Sequence, residues 1–323
     1  MADAMSTIHK NALKKLFAAR ESAIFLALLI LMFGIWLFAP KFLSGSNLYL
    51  VSRQISFVAI VALGELFVIL SSGIDLSVGS IMGLSGVIAA GAMVAGIPII
   101  LSIFLGILGG MLLGAINGLL ASYVGIAPFI ATLGMLSFAR GTILIFTKGW
   151  PIINIPTAFL VIGQGDFLSI PIPVWIMAGL AVVAHFVLTY TAFGRRLYAI
   201  GGNEEAAFLS GIRVKVIKLT IFIISGAAAA IVGIILVARF NSAQPDTGTG
   251  WELDAIAAAV IGGTSLSGGS GTVLGVLIGA AIMGIIRNGL VLMKVSPYWQ
   301  TAIIGVIIVL AAVLDRIKNR RRG

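Results

Sequence analysis

Four carboxylates stand where carboxylates are unfavourable. Glu65, Asp75, Glu252 and Asp254 lie within or against long apolar runs. An acid at the centre of a membrane span costs about 2.5–3.5 kcal/mol on insertion scales, so it usually faces a cavity or a partner. Asp75 lies in Ser71-Ser-Gly-Ile-Asp-Leu-Ser-Val-Gly-Ser80. The serines and glycines there, Ser77 among them, can unwind a helix end and leave backbone groups free for the hydroxyls of a polar solute or for ions. The same carboxylate would serve equally as an N-cap, accepting from the first N–H groups of the next helix. Both readings are open. Glu252 and Asp254 open a run after Gly248-Thr-Gly250 and carry the same two readings. Arg287 sits deep in an apolar run, where pairing with an acid of a neighbouring helix would be structural. Arg53 and Arg140, near run ends, are expected to snorkel.

Other chemistries find no residues. No glycine is followed by lysine, so the chain has no Gly-x-x-x-x-Gly-Lys-Ser/Thr phosphate loop of its own. The two histidines, His9 and His185, do not form a metal pair, and cysteine is absent. No serine–histidine–acid arrangement is recoverable. We therefore expect no enzyme, no metal and no cofactor in this chain.

The elements that position these residues are membrane helices. Of 323 residues, 60% are hydrophobic and 10% charged, whereas a soluble domain carries about 25% charged residues. The mean hydropathy is +1.16. A soluble enzyme, a secreted domain and a disordered chain are excluded. With about 30 residues per span and connection, the chain holds about ten spans. The apolar runs fall at 22–39, 54–71, 76–96, 99–121, 127–146, 173–191, 219–238, 252–264, 271–292 and 298–314. The first lacks a small-residue cleavage site and reads as a retained helix. The expected fold is all-α and polytopic. Residues 1–21 form an N-terminal segment, 22–315 the membrane domain with a loop at 194–218, and 316–323 a basic tail.

The formal charge is +10, and its distribution argues orientation rather than nucleic-acid binding. Lys10, Lys14, Lys15 and Arg20 precede the first run. Arg195, Arg196, Arg213, Lys215 and Lys218 fill the middle loop, and Arg316, Lys318, Arg320, Arg321 and Arg322 the tail. Positive segments favour the cytoplasm, which puts both termini and the middle loop inside, with six spans before the loop and four after it.

An internal repeat fits this count. Gly106, Gly110, Gly114 and Gly118 recur every fourth residue, with Asn117-Gly-Leu and then Pro128-Phe-Ile-Ala-Thr132. Gly271, Gly275 and Gly279 do the same, with Asn288-Gly-Leu and Pro297-Tyr-Trp-Gln-Thr301. Five spans separate the copies, so they run in opposite directions as a 5+5 inverted repeat. The glycine ladders themselves read as packing faces. The asparagines and threonines, inside a membrane, must either bond to one another or line a wet cavity.

In the middle loop, Asn203 is an N-cap candidate and Glu204 and Glu205 suit the first turn of a helix. Ala206, Ala207, Leu209 and Ile212 would give that helix an apolar face. It is either an interfacial helix or a dock for a partner.

Glu205-Ala-Ala-x-x-x-Gly211 resembles the Glu-Ala-Ala loop with which bacterial ABC import permeases dock their ATPase. Ser72-Gly-Ile-Asp-Leu-Ser-Val-Gly-Ser80, Phe129-Ile-Ala-Thr-Leu133, Tyr198-Ala-Ile-Gly-Gly-Asn203, Ser242-Ala-Gln-Pro245, Glu252-Leu-Asp-Ala-Ile-Ala257 and Gly262-Gly-Thr-Ser-Leu266 are similar to the ribose-type sugar permeases. The resemblance runs from about residue 25 to 315. It implies the membrane subunit of a binding-protein-dependent importer of ribose or a related monosaccharide, in the bacterial inner membrane. Two copies would line one pathway. A tandem ABC ATPase, which alone binds ATP and magnesium, would dock on Asn203, Glu204, Glu205, Ala206, Ala207 and Gly211, and a periplasmic sugar-binding protein would deliver substrate. Asp75, Ser77, Asn117, Thr132, Glu252, Asp254, Asn288 and Thr301 are the expected pathway residues. The rival class is an ion- or proton-coupled sugar transporter using Asp75 or Glu65.

Overall fold

The computed structural model describes residues 20–320. Lys10, Lys14, Lys15, Arg321 and Arg322, and with them most of the expected N-terminal segment and the end of the tail, lie outside the described residues. Twelve helices carry the architecture: α1 (Arg20–Phe38), α2 (Gly45–Leu70), α3 (Val78–Val94), α4 (Ile99–Leu119), α5 (Pro128–Thr147), α6 (Ile172–Tyr190), α7 (Ala192–Gly202), α8 (Glu204–Leu209), α9 (Val214–Phe240), α10 (Trp251–Ile261), α11 (Val273–Leu292) and α12 (Pro297–Arg320). A two-residue hairpin, β1 (Asp166–Phe167) with β2 (Ile170–Pro171), lies between α5 and α6.

Each apolar run of the sequence contains a helix, and local chemistry sets the ends. Ser44, Thr191, Asn203 and Thr272 cap α2, α7, α8 and α11 through their side-chain oxygens, as short polar residues at N-caps do. Pro128 opens α5, where its missing N–H is no loss. Among the described residues, seven helices are long and apolar enough to cross a membrane. The stretches Val78–Val94 and Tyr298–Ile307 are apolar but shorter, and α10 has only 11 residues. α10 cannot span hydrocarbon unaided.

Two helices form the axis. α2 and α9 are buried along most of their length, whereas α1, α4, α5 and α6 leave most of their surface outside. Phe33, Phe104, Phe138, Ile145 and Phe186 are among the large side chains left outside. In water that belt would be an association surface; in a bilayer it meets the acyl chains. The first glycine ladder packs α4 against the axis. A Cβ at Gly110 would stand 2.6 Å from both the Gly226 carbonyl and Ala230 Cβ of α9. The second packs α11 on α10, with Gly275 against Gly262 and Gly279 against Ala258. Small residues let backbones meet where lipid offers no hydrophobic drive.

The two ends of the bundle are tied differently. At one, the Gly269 N–H donates to the Leu70 carbonyl (3.0 Å), joining α2 to the loop between α10 and α11. At the other, Ile152 and Ala243 exchange backbone hydrogen bonds of 3.0 and 2.9 Å.

Candidate functional site

The turn between α2 and α3 gathers the first group of polar residues. The chain leaves α2 at Ser71, and Ser72 takes a positive φ of 63°. Asp75, Ser77, Asn117 and Thr132 are all fully enclosed, and so is Glu65. They form one connected network. The Asp75 N–H donates to Glu65 Oε1 (3.0 Å). Asp75 Oδ1 accepts from the Ser77 N–H (2.9 Å) and from its hydroxyl, and Oδ2 accepts from the Ser225 hydroxyl (2.9 Å). Asn117 Nδ2 donates to Ser77 Oγ (2.8 Å). Thr132 Oγ1 accepts from the Leu76 N–H (3.1 Å) and so anchors α5 to the same turn. Asp75 thus holds Ser77, the residue just ahead of α3, and joins that turn to α9, without bonding an N–H group of α3 itself. Buried polar groups in such a network hold its members in one arrangement. Glu65 Oε2 and Asn117 Oδ1 are buried without a partner.

The loop before α10 approaches this turn from the other side. A Cβ at Gly79 would collide with the Gly248 carbonyl and with Glu252 Oε2, and one at Gly248 with the Gly79 carbonyl. The backbones cross here with no room for a side chain. The half-buried Glu252 therefore sets its carboxylate beside the first turn of α3, where the helix dipole favours it. Arg140 of α5 does not snorkel: its Nη1 donates to the carbonyls of Pro245 (2.7 Å) and Thr247 (3.0 Å), holding the loop. Arg53 does not snorkel either. It is buried and donates to Tyr49 Oη at 2.7 Å.

The remaining expected pathway residues are elsewhere. Asp254 accepts both hydrogen bonds from Arg287 Nη2, at 2.8 and 2.6 Å, in the pairing expected of Arg287. Asn288 exchanges two amide hydrogen bonds with Asn47, at 3.0 and 2.9 Å, and does not reach Asn117. Thr301 is exposed on α12.

The middle loop forms a compact unit. Asn203 Oδ1 accepts from the Ala206 N–H (2.9 Å), capping α8. Glu204 pairs with Lys218 of α9 (2.6 Å). Ala207 is buried against the bundle; Glu205, Ala206, Phe208 and Leu209 are exposed. Gly211 closes the helix with φ +82°, a conformation L side chains rarely adopt. A groove of about 670 Å³ lies alongside, lined by Tyr123, Glu205, Phe208, Arg213 and Lys215 among others. Burial pushes the half-buried Tyr198 phenol of α7 up, so its hydroxyl stays a donor over the whole working pH range.

Three residues of these networks escape sequence reading. Ser225 is one hydroxyl in an apolar run 150 residues from Asp75, and Asn47 lies 241 residues from Asn288. Arg140 is visible as a charge, but not as a clamp on backbone carbonyls. Among the described residues no group of three histidines or acids could hold a metal ion.

A family model described as "Branched-chain amino acid transport system / permease component" matches residues 47–312. The ribose import permease protein RbsC of Bacillus subtilis (strain 168) is 46% identical over 297 residues, 91% of this chain and 92% of that protein. RbsC of Escherichia coli (strain K12) is 42% identical over 303 residues, 93% of this chain and 94% of that one. The D-allose transport system permease protein AlsC of Escherichia coli (strain K12) is 40% identical over 296 residues, covering 91% and 90%. No solved structure matches the chain. The chain belongs to this permease family, as a multi-pass membrane protein of the ribose-type sugar ABC permeases.

Proposed function

We propose that this chain is the membrane subunit of an ATP-driven importer for ribose or a related monosaccharide, and that α8 is the seat of a separate ATPase. The observation that carries the reading is α8 itself. It is a short capped helix, fixed to the bundle through Ala207 and the Glu204–Lys218 pair, and it holds Glu205, Phe208 and Leu209 outward. The relatives named as ribose and allose permeases support the substrate class. In this reading α8 faces the cytoplasm of the inner membrane, both termini lie on that side, and two copies share a tandem ATPase and a periplasmic sugar-binding protein. The chain itself performs no covalent chemistry.

The 5+5 inverted repeat is part of the proposal. Its support is the packing of the two ladder helices: α4 rests on α9 and α3, while α11 rests on α2 and α10. The pathway is proposed to open beside the Asp75 turn and the Gly248 loop, where Asp75, Ser77, Asn117, Thr132 and Glu252 gather. Asp254, Asn288 and Thr301 stand outside that cluster, the first two as packing pairs. The ion-coupled rival would use Glu65 and Asp75. Both oxygens of Asp75 are already engaged by serine donors and backbone, which favours a positioning role.

Pull-down of the ATPase from membranes tests the docking reading. Glu205→Lys reverses an exposed charge, and Gly211→Val strains the turn that ends α8. Both variants should insert and dimerise yet recover little ATPase. Normal recovery and normal uptake in both would leave α8 an interfacial helix.

A further inference from the structure

α8 follows α7 after a single intervening residue, and α7 is fastened at one point to two other elements, the end of α2 and the loop between α10 and α11. Gly201 of α7 lies against the last carbonyl of α2: a Cβ there would run into Leu70 O and the Gly269 nitrogen. The Gly269 N–H in turn donates to that same Leu70 carbonyl at 3.0 Å. One turn earlier on the same helix face, the Tyr198 hydroxyl donates to the Gly271 carbonyl at 2.8 Å. Ser72 completes the knot by donating to the Ser267 carbonyl at 2.8 Å. Leu197 and Ile200, both buried, seat α7 in the core.

Each strand of the knot leads to a part of the transport site. Leu70 is the last residue of α2, and Asp75 follows it by five positions. Gly269 and Gly271 belong to the loop that joins α10, which carries Glu252, to α11. Between α7 and α8 only Asn203 intervenes, held extended with φ −160° and spent as the cap of α8. A displacement of α8 therefore has no slack in which to dissipate before it reaches α7. From α7 it passes to the α2 end and the α10–α11 loop together, because neither can move past Gly201 independently.

We infer that Tyr198 and Gly201 are positioning residues of the transport cycle: they form a latch through which movement of α8 is transmitted to the Asp75 turn and the α10–α11 loop. The inference rests on the reading of α8 as the ATPase seat. It adds that sugar movement per ATP depends on this contact, separately from ATPase binding.

The test measures three quantities in reconstituted complexes of the full chain: ATPase recovered, ATP hydrolysed and ribose taken up. Tyr198→Phe keeps the ring and removes one hydrogen bond. It should leave recovery and hydrolysis unchanged and lower ribose moved per ATP by about fivefold, the factor that one ordinary hydrogen bond contributes to a two-state balance. Gly201→Ala should lower it further. Gly202→Ala, with nothing within 4 Å of the new methyl, should behave as wild type. An unchanged ratio in Tyr198→Phe overturns the latch, and so does a parallel fall of uptake, hydrolysis and recovery, which marks a packing role. Wild-type chain that recovers no ATPase overturns the docking reading instead. If Gly201→Ala does not assemble, Tyr198→Phe decides alone.

Discussion

Gly110→Ala puts the packing account to a quantitative test. An added methyl at this position in α4 would lie 2.6 Å from the Gly226 carbonyl oxygen and 2.6 Å from Ala230 Cβ, with Ser85 Oγ at 2.9 Å. Ordinary contact begins near 3.5 Å, so α4 must retreat from α9 by about 1 Å. Rotamer changes cannot relieve the clash, because a backbone oxygen and a Cβ are the obstacles. Overpacking of this kind costs about 1–3 kcal/mol, and each kcal/mol shifts a melting temperature by about 2–4 °C in chains of 150–250 residues. The variant should therefore melt several degrees below wild type in detergent. Retreat of α4 also draws Asn117 away from Ser77, so uptake should fall more than assembly does. Gly134→Ala in α5 is the control. Open space surrounds its new methyl, and alanine improves helix propensity by about 1 kcal/mol. Thermal melting followed by size-exclusion chromatography reads both variants. Indistinguishable melting of Gly110→Ala and Gly134→Ala would refute the reasoning that the ladder is closed against α9.

Asp254→Ala should destabilise by about 1.5–3 kcal/mol, the range for a hydrogen bond to a charged group, by leaving the half-buried Arg287 without its partner, and Asp254→Leu combined with Arg287→Leu should recover most of the loss; equal melting of the single and double variants would contradict a paired role. Asn117→Leu removes the donor to Ser77 inside a closed network, where an unmet polar group costs about 1–3 kcal/mol. Ribose uptake measured beside detergent-stable assembly should fall more than assembly, and a proportional fall would make Asn117 a packing element. Because the chain has no cysteine, single cysteines at Ser210 and Ser242 report sidedness with an impermeant thiol reagent. They should be labelled from opposite faces of the membrane, and labelling from one face would undo the traversal of α9.

Some of this was legible in the residues alone. The apolar runs locate every long helix, since hydrocarbon demands uninterrupted apolar length. The reading shortens α2, which begins at Gly45 rather than 54. Asn47, Arg53 and Ser56 interrupt the hydropathy there, but each finds an internal hydrogen-bond partner and the helix continues through them. The Asn203 cap was visible because a cap is a contact across three residues. The matched Asn117 and Asn288 predicted matched environments, yet one donates to Ser77 and the other to Asn47. Partner choice over such separations depends on helix packing, which periodicity does not encode. The crossing of Gly79 with Gly248 was hidden for the same reason: each glycine looks like ordinary loop punctuation until the other is placed beside it.

The measurement that bears most directly on the account is ribose uptake into proteoliposomes holding this chain with the ATPase and sugar-binding protein proposed as its partners. The account predicts uptake that requires ATP and the binding protein and persists when proton and sodium gradients are collapsed. Uptake by the chain alone, driven by an imposed ion gradient without ATP, would contradict it.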